Sequence, residues 1–133
     1  MTHTTNPFLT ADTIKKSLSL FAVNSKNNAI DSIFSVNKIQ TRFYNTHCKP
    51  INHDPDNLIP TQELEAYYEE NSNLYIFSKA SFDGASARIG KKPMMIESKK
   101  IESLDIDTSE DWELANLIAR SLMNRKLAID NSE

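Results

Sequence analysis

The chain has 133 residues, 39% of them hydrophobic and 25% charged, which suits one domain with a core and excludes bulk disorder. Its net charge is -3 and its Lys and Arg residues are scattered, so it carries no phosphate-tracking surface and nucleic acid is not an expected partner. No apolar run reaches membrane-spanning length, and Met1 to Phe8 lacks the basic and apolar regions of a signal peptide; a cytoplasmic location is expected.

In chain order, Pro7 holds the first segment extended, and Thr10 caps a helix predicted over Ala11 to Val23, where Ile14, Leu18, Phe21 and Ala22 recur at helical spacing. After the polar Asn24–Asn28 loop, Ala29 to Val36 reads as a buried strand rich in β-formers. Residues 37–70 are irregular, with a short strand candidate at Thr41 to Tyr44 and then Pro50, Pro55 and Pro60. A weakly structured stretch of that length in a small domain usually serves a partner or a site.

Asn73 to Phe77 is a predicted strand, Lys79 to Phe82 a helical turn, and Pro93 to Glu97 a further strand leading into Leu104-Asp-Ile-Asp107. The last element is a helix over Ser109 to Lys126 with Trp112, Ala115, Ile118, Ala119 and Leu122 on its inner face; Asp130 to Glu133 should fray. Strands alternating with helices point to an α/β layer architecture, whose ligands gather at the carboxyl ends of the strands.

Asp105 and Asp107 fall at such an end. In an extended strand, side chains at i and i+2 share a face, so the two carboxylates would stand side by side as a divalent-metal site. A plainer reading competes: both acids complement the dipole of the last helix, with Thr108 as N-cap and Asp111 as its capping-box partner. Cys48 is the sole cysteine and cannot form an internal disulfide, in keeping with a reducing compartment. His47 and Cys48 are adjacent and cannot easily share a zinc ion with His53. Gly84 and Gly90 are the only glycines, and their setting lacks the spacing and the Ser or Thr of a P-loop.

Taken in order, Asn6-Pro-Phe-Leu-Thr10, Phe34-Ser-Val36, Thr41-Arg-Phe-Tyr44, Tyr68-Glu-Glu-Asn71, Leu74-Tyr-Ile-Phe77, Arg88-Ile-Gly-Lys-Lys-Pro93 and Glu102-Ser-Leu-Asp-Ile-Asp-Thr108 resemble the acylneuraminate cytidylyltransferases. The resemblance runs over nearly all of the chain. It implies a three-layer α/β/α, Rossmann-like nucleotide-diphospho-sugar-transferase fold. It also implies transfer of CMP from CTP to a sialic-acid-like nonulosonic acid with release of pyrophosphate. The family begins with a strand and a basic, glycine-containing loop around the CTP phosphates, and neither is found here; the chain is therefore expected to be a single domain, 1–133, matching the C-terminal half, inactive alone and completed by the missing half.

By the same resemblance, Asp105 and Asp107 would hold Mg²⁺, a role that suits hard carboxylate oxygens. His3 and Asn6 would contact the nucleotide and sugar, and Asn71 and Tyr75 would line the sugar pocket. Arg42 would meet the sugar carboxylate through its planar guanidinium, in the site of either subunit of a homodimer formed largely by residues 37–70. Arg88, with Lys91 and Lys92, is a candidate for phosphate or carboxylate contact. Surface or core roles compete for each: an exposed ion pair for Arg42, a core aromatic for Tyr75, a turn for Asn71 and a solvated loop for Arg88. At the level of function, the competitor is a non-catalytic remnant or dimerising interaction module.

Overall fold

A computed structural model describes residues 1–130 of the chain. Its elements are α1 (Ala11–Asn24), β1 (Ser32–Ile39), β2 (Tyr67–Phe77), α2 (Lys79–Ala85), β3 (Pro93–Glu97) and α3 (Ser109–Asp130), with a 3-10 turn at Thr61–Glu63. The three strands form one mixed sheet in the order β2-β1-β3. The central strand β1 runs antiparallel to β2 and parallel to β3. The molecule is thus a small mixed α/β domain of three helices and three strands among the described residues. No helix among them is long and apolar enough to cross a membrane.

α1 starts where the sequence places it. Thr10 lies in extended backbone and its hydroxyl accepts from the Thr13 N–H at 3.3 Å, satisfying one of the donors that a helix start leaves free. α3 begins with the expected capping box: Asp111 N–H donates to Thr108 Oγ1 at 3.2 Å, and Thr108 N–H returns a bond to Asp111 Oδ2 at 2.9 Å. Of the residues expected to fray, Asp130 is the last of α3, and 131–133 lie outside the described residues.

β1 sits three residues later than its apolar run predicts, because pairing rather than propensity sets its ends. Asp31, just before it, turns its carboxylate toward the Lys91 N–H, while Asn37 to Ile39 pair with Glu69 to Tyr67. β2 extends well beyond the predicted Asn73 to Phe77. Its register slips between Phe34↔Tyr75 and Val36↔Glu70, so Asn71 to Leu74 stand opposite Ser35 alone. Ser72 takes the left-handed conformation there, at φ 54°.

Side chains fill the bonds that this bulge removes from the ladder. Ser35 Oγ donates to Asn71 Oδ1 at 2.6 Å and accepts from Leu74 N–H at 2.8 Å. Asn71 Nδ2 donates to Asn37 Oδ1 at 3.0 Å and to Ser98 Oγ at 2.7 Å. The polar run that hides the strand in the sequence is what lets it bend.

Two expectations are corrected. Thr41 to Tyr44 forms no strand; Tyr44 makes one isolated bridge to Pro50 in a loop closed around Asn45, whose carboxamide oxygen accepts from the N–H groups of His47 and Lys49. Residues 104–107 are likewise irregular, so Asp105 and Asp107 do not share a strand face.

The apolar core is small. Ile33, Val36 and Tyr75 are fully enclosed, joined by Ile30, Leu64, Leu74 and Ala115. Polar groups are buried among them, including Asn6, Ser35, Asn73 and Glu102. The predicted inner face of α3 is only partly an inner face: Ala115 is buried, but Trp112 is 60% exposed and Leu122 42%.

Candidate functional site

The first six residues lace two distant parts of the chain together. Thr2 bridges Leu74, the terminal ammonium of Met1 donates to the Tyr75 carbonyl at 2.7 Å, and Tyr75 N–H donates back to the Met1 carbonyl at 2.9 Å. Further along, Thr5 accepts from Ile106 N–H at 3.0 Å, and Asn6 Nδ2 donates to the Leu104 carbonyl at 3.2 Å. This arm therefore lies against the outer edge of β2 and against the segment that carries Asp105.

Tyr75, fully buried, is the centre of the first cluster. Its hydroxyl donates to Glu70 Oε1 in a short bond and approaches Ser72 Oγ at 3.2 Å. Burial, then the bond to the Glu70 carboxylate, push its pKa above the ordinary tyrosine value, so the phenol stays protonated as a donor. The Arg88 guanidinium carbon lies 4.4 Å from the ring centroid, a cation–π contact. Arg88 Nη1 is 3.2 Å from His3 Nε2; because a guanidinium N–H only donates, that histidine nitrogen accepts and the ring proton belongs on Nδ1. Among the described residues the ion pair within 4 Å joins Lys79 to Asp83, and Arg88 has no carboxylate partner. The result is a guanidinium set between a ring and an imidazole, with no carboxylate within 4 Å.

Three expected site residues, His3, Tyr75 and Arg88, thus come together although they lie up to 85 positions apart. Asn6 meets the segment that carries Asp105 through its bond to the Leu104 carbonyl. Asn71 belongs to the bulge, where both its N–H groups and its oxygen are already bonded. Arg42 serves the excursion: its Nη2 donates to the Ile59 carbonyl at 2.6 Å, and none of its hydrogen bonds reaches the other candidates.

The two aspartates have different surroundings. Asp107 is exposed and its N–H donates to Asp111 Oδ2 at 3.2 Å, as part of the start of α3. Asp105 is half-buried, and its Oδ1 is sealed from solvent with no hydrogen-bond partner. An enclosed carboxylate oxygen without a donor is an acceptor suited to a hard cation, so Asp105 fits Mg²⁺. No three His, Cys, Asp or Glu side chains converge around it among the described residues. Beyond one more such side chain, any further ligands would be neutral oxygens.

Sequence reasoning missed three residues that shape this region. Glu102 is fully buried and accepts from the hydroxyls of Thr10 at 2.6 Å and Thr13 at 2.7 Å, tying the start of α1 to the segment before Asp105. Its signal was a lone acid between Ile101 and Leu104 facing a Thr-x-x-Thr spacing. Asn73, also fully buried, donates to the Glu102 carbonyl at 2.8 Å. Asp31 occupies the Gly90–Lys92 loop, taking the Lys91 N–H at 2.7 Å, so the backbone of that loop serves an internal carboxylate.

Compared with known proteins, the chain matches no protein-family model and no curated protein.

Proposed function

We propose that this chain takes part in cytidylyl transfer from CTP to a nonulosonic acid. The sugar's anomeric hydroxyl attacks the α-phosphorus of CTP, and pyrophosphate leaves. The observation that carries the reading is the Arg88 guanidinium, braced by Tyr75 and His3 and without a carboxylate within 4 Å. It offers a planar, bidentate partner for the sugar carboxylate. Arg88 takes the part first given to Arg42, whose Nη2 already binds the Ile59 carbonyl. Asn6, bonded to the Leu104 carbonyl, stands in the same arm as His3 and supports the sugar or nucleotide.

Mg²⁺, held by Asp105 with Asp107 near it, would supply neutralisation of phosphate charge. Gly90 is committed to its contact with Asp31, and Gly84 sits in α2, so the described residues offer no phosphate cradle. In this reading a second segment or polypeptide brings that cradle, completing a Rossmann-like, three-layer fold, and the chain alone is inactive.

The test is pyrophosphate release from CTP, Mg²⁺ and a panel of nonulosonic acids, with and without an N-terminal fragment of a family member. Turnover is expected only with the fragment, and Arg88→Ala should raise KM for the sugar at least tenfold. No turnover in either arm, from folded protein, sinks the transferase reading.

A second reading, an interaction module without catalysis, is favoured by α3. Its exposed apolar residues include Trp112, Leu114, Leu117 and Met123, on more than one side of the helix. A folded chain that self-associates yet stays silent in both assay arms supports it.

A further inference from the structure

We propose that α3 pairs with the α3 of a second copy of this chain, antiparallel, along a stripe formed by Trp112, Asn116, Ala119 and Met123. The spacing of these residues is that of the a and d positions of a coiled coil, and it sets all four on one narrow side of the helix. Trp112 is 60% exposed and Met123 65%, and Asn116 is exposed between them. The side that packs on the domain lies to one flank, where Ala115 is buried.

Charge makes a second copy the occupant. Glu113 and Arg120 lie together on the other flank of the stripe, both exposed, and among the described residues neither has an ion-pair partner within 4 Å. Turned about a two-fold axis level with Leu117 and Ile118, the stripe meets itself. Trp112 of one copy comes opposite Met123 of the other, Asn116 opposite Ala119, and Arg120 beside Glu113, each pairing made twice. A parallel arrangement would set Glu113 on Glu113 and Arg120 on Arg120, so charge selects the antiparallel one.

Shape and area agree with this occupant. Trp112, Glu113, Asn116, Leu117 and Arg120 outline a groove of about 420 Å³. The unbranched Met123 side chain of the second copy lies across the indole and into that groove, a contact that a polarizable thioether favours. Ala119, near the axis, lets the two backbones approach. Asn116 Nδ2 donates to the Trp112 carbonyl at 2.9 Å, so the polar residue of the stripe is anchored on its own helix and fixes register at some cost in affinity. The chain has 9,614 Å² of accessible surface against about 7,100 Å² for a compact monomer of its mass. That excess is ample for the roughly 800 Å² that each partner of a standard interface covers.

This seam is separate from residues 37–70, where the resemblance places a dimer contact, and from Arg88 and Asp105. It deepens the reading of α3 as an interaction surface and holds whether or not the chain is catalytic.

The experiment is sedimentation of the full chain over rising concentration, with circular dichroism to check that each variant folds. Wild type should dimerise. Arg120→Glu and Glu113→Arg should each weaken the dimer at least tenfold, because each sets two like-charge pairs across the seam. The double variant Glu113→Arg/Arg120→Glu restores both attractions and should return to within about threefold of wild-type affinity. A wild type that stays monomeric overturns the proposal. So does a dimer that both single reversals leave unchanged, or a double variant no tighter than either single one. None of these outcomes touches pyrophosphate release, so the transferase reading stands or falls by its own assay.

Discussion

Gly90 illustrates how one residue without a side chain sets the local electrostatics. A Cβ at this position would overlap the Asp31 carboxylate, while Gly90 N–H donates to Ser32 Oγ at 2.8 Å and Ser32 Oγ donates to Asp31 Oδ1 at 3.0 Å. Burial pushes the Asp31 carboxyl up, but the Lys92 and Lys91 N–H groups and the Ser32 hydroxyl outweigh it and hold the pKa below the usual carboxylate value. Gly90→Ala should therefore cost about 2 kcal/mol, by displacing Asp31 from its bonds. Urea unfolding measures this, and in Asp31→Ala, where there is nothing to hit, the same substitution should cost less than half as much. Because the folded pKa is lowered, the stability from Asp31 is complete above its unfolded pKa of about 3.9 and is lost as pH falls through the lower folded value. Asp31→Asn should flatten the loss of stability below about pH 4 without abolishing it. Asp111, whose pKa is lowered by the Thr108 hydroxyl and N–H, loses stability in that same window. An unchanged acid limb in Asp31→Asn removes this account.

At the scale of elements, the periodic signals were readable and the polar ones were not. The capped starts of α1 and α3 and all of β3 follow from cap residues and apolar runs, whose physics is local. The bulge in β2 was illegible because Asn71-Ser-Asn73 looks like a turn; only Ser35, 36 positions away from Asn71, makes it part of a strand. The site divides in the same way. A paired-carboxylate motif drew attention to Asp105 and Asp107, but the bonds that pin the neighbouring Leu104 and Ile106 come from the N-terminal arm, and sequence spacing carries no trace of that approach. Glu102 is the extreme case, a fully buried acid whose donors are on another element. Glu102→Ala leaves the Thr10 and Thr13 hydroxyls without their acceptor and a void beside α1, so about 3 kcal/mol of stability should disappear. Amide exchange should then speed up first in the opening turn of α1 and in residues 102–106. Uniform loss of protection over the whole sheet, with α1 no worse, would show that Glu102 is not the tie between these two elements.

The whole molecule exposes more surface than its mass requires. A compact monomer of 15.1 kDa has about 7,100 Å² of accessible surface by the usual scaling, whereas this chain has 9,614 Å². The difference, about 2,500 Å² on one chain, is comparable to one partner's share of a large, permanent protein interface. Much of the exposed apolar material lies in two places: α3, where Leu117 and Met123 are each 65% exposed, and the excursion, where Tyr44, Ile51 and Leu58 are exposed. A core of seven buried apolar side chains among the described residues is also slight support for a domain of this size, so an added interface should contribute a large share of the stability. If that interface forms between copies of this chain, folding is linked to association and the midpoint of thermal unfolding rises with protein concentration. Melts from about 1 to 100 μM should show such a rise, and sedimentation should show a dimer at the upper end. Placing lysine at Leu117 and Met123 separates the two surfaces: loss of the concentration dependence assigns the contact to α3, and its persistence assigns it to the excursion. A midpoint that is independent of concentration, with a monomer throughout, rules out self-association and leaves a different polypeptide as the cover for these faces.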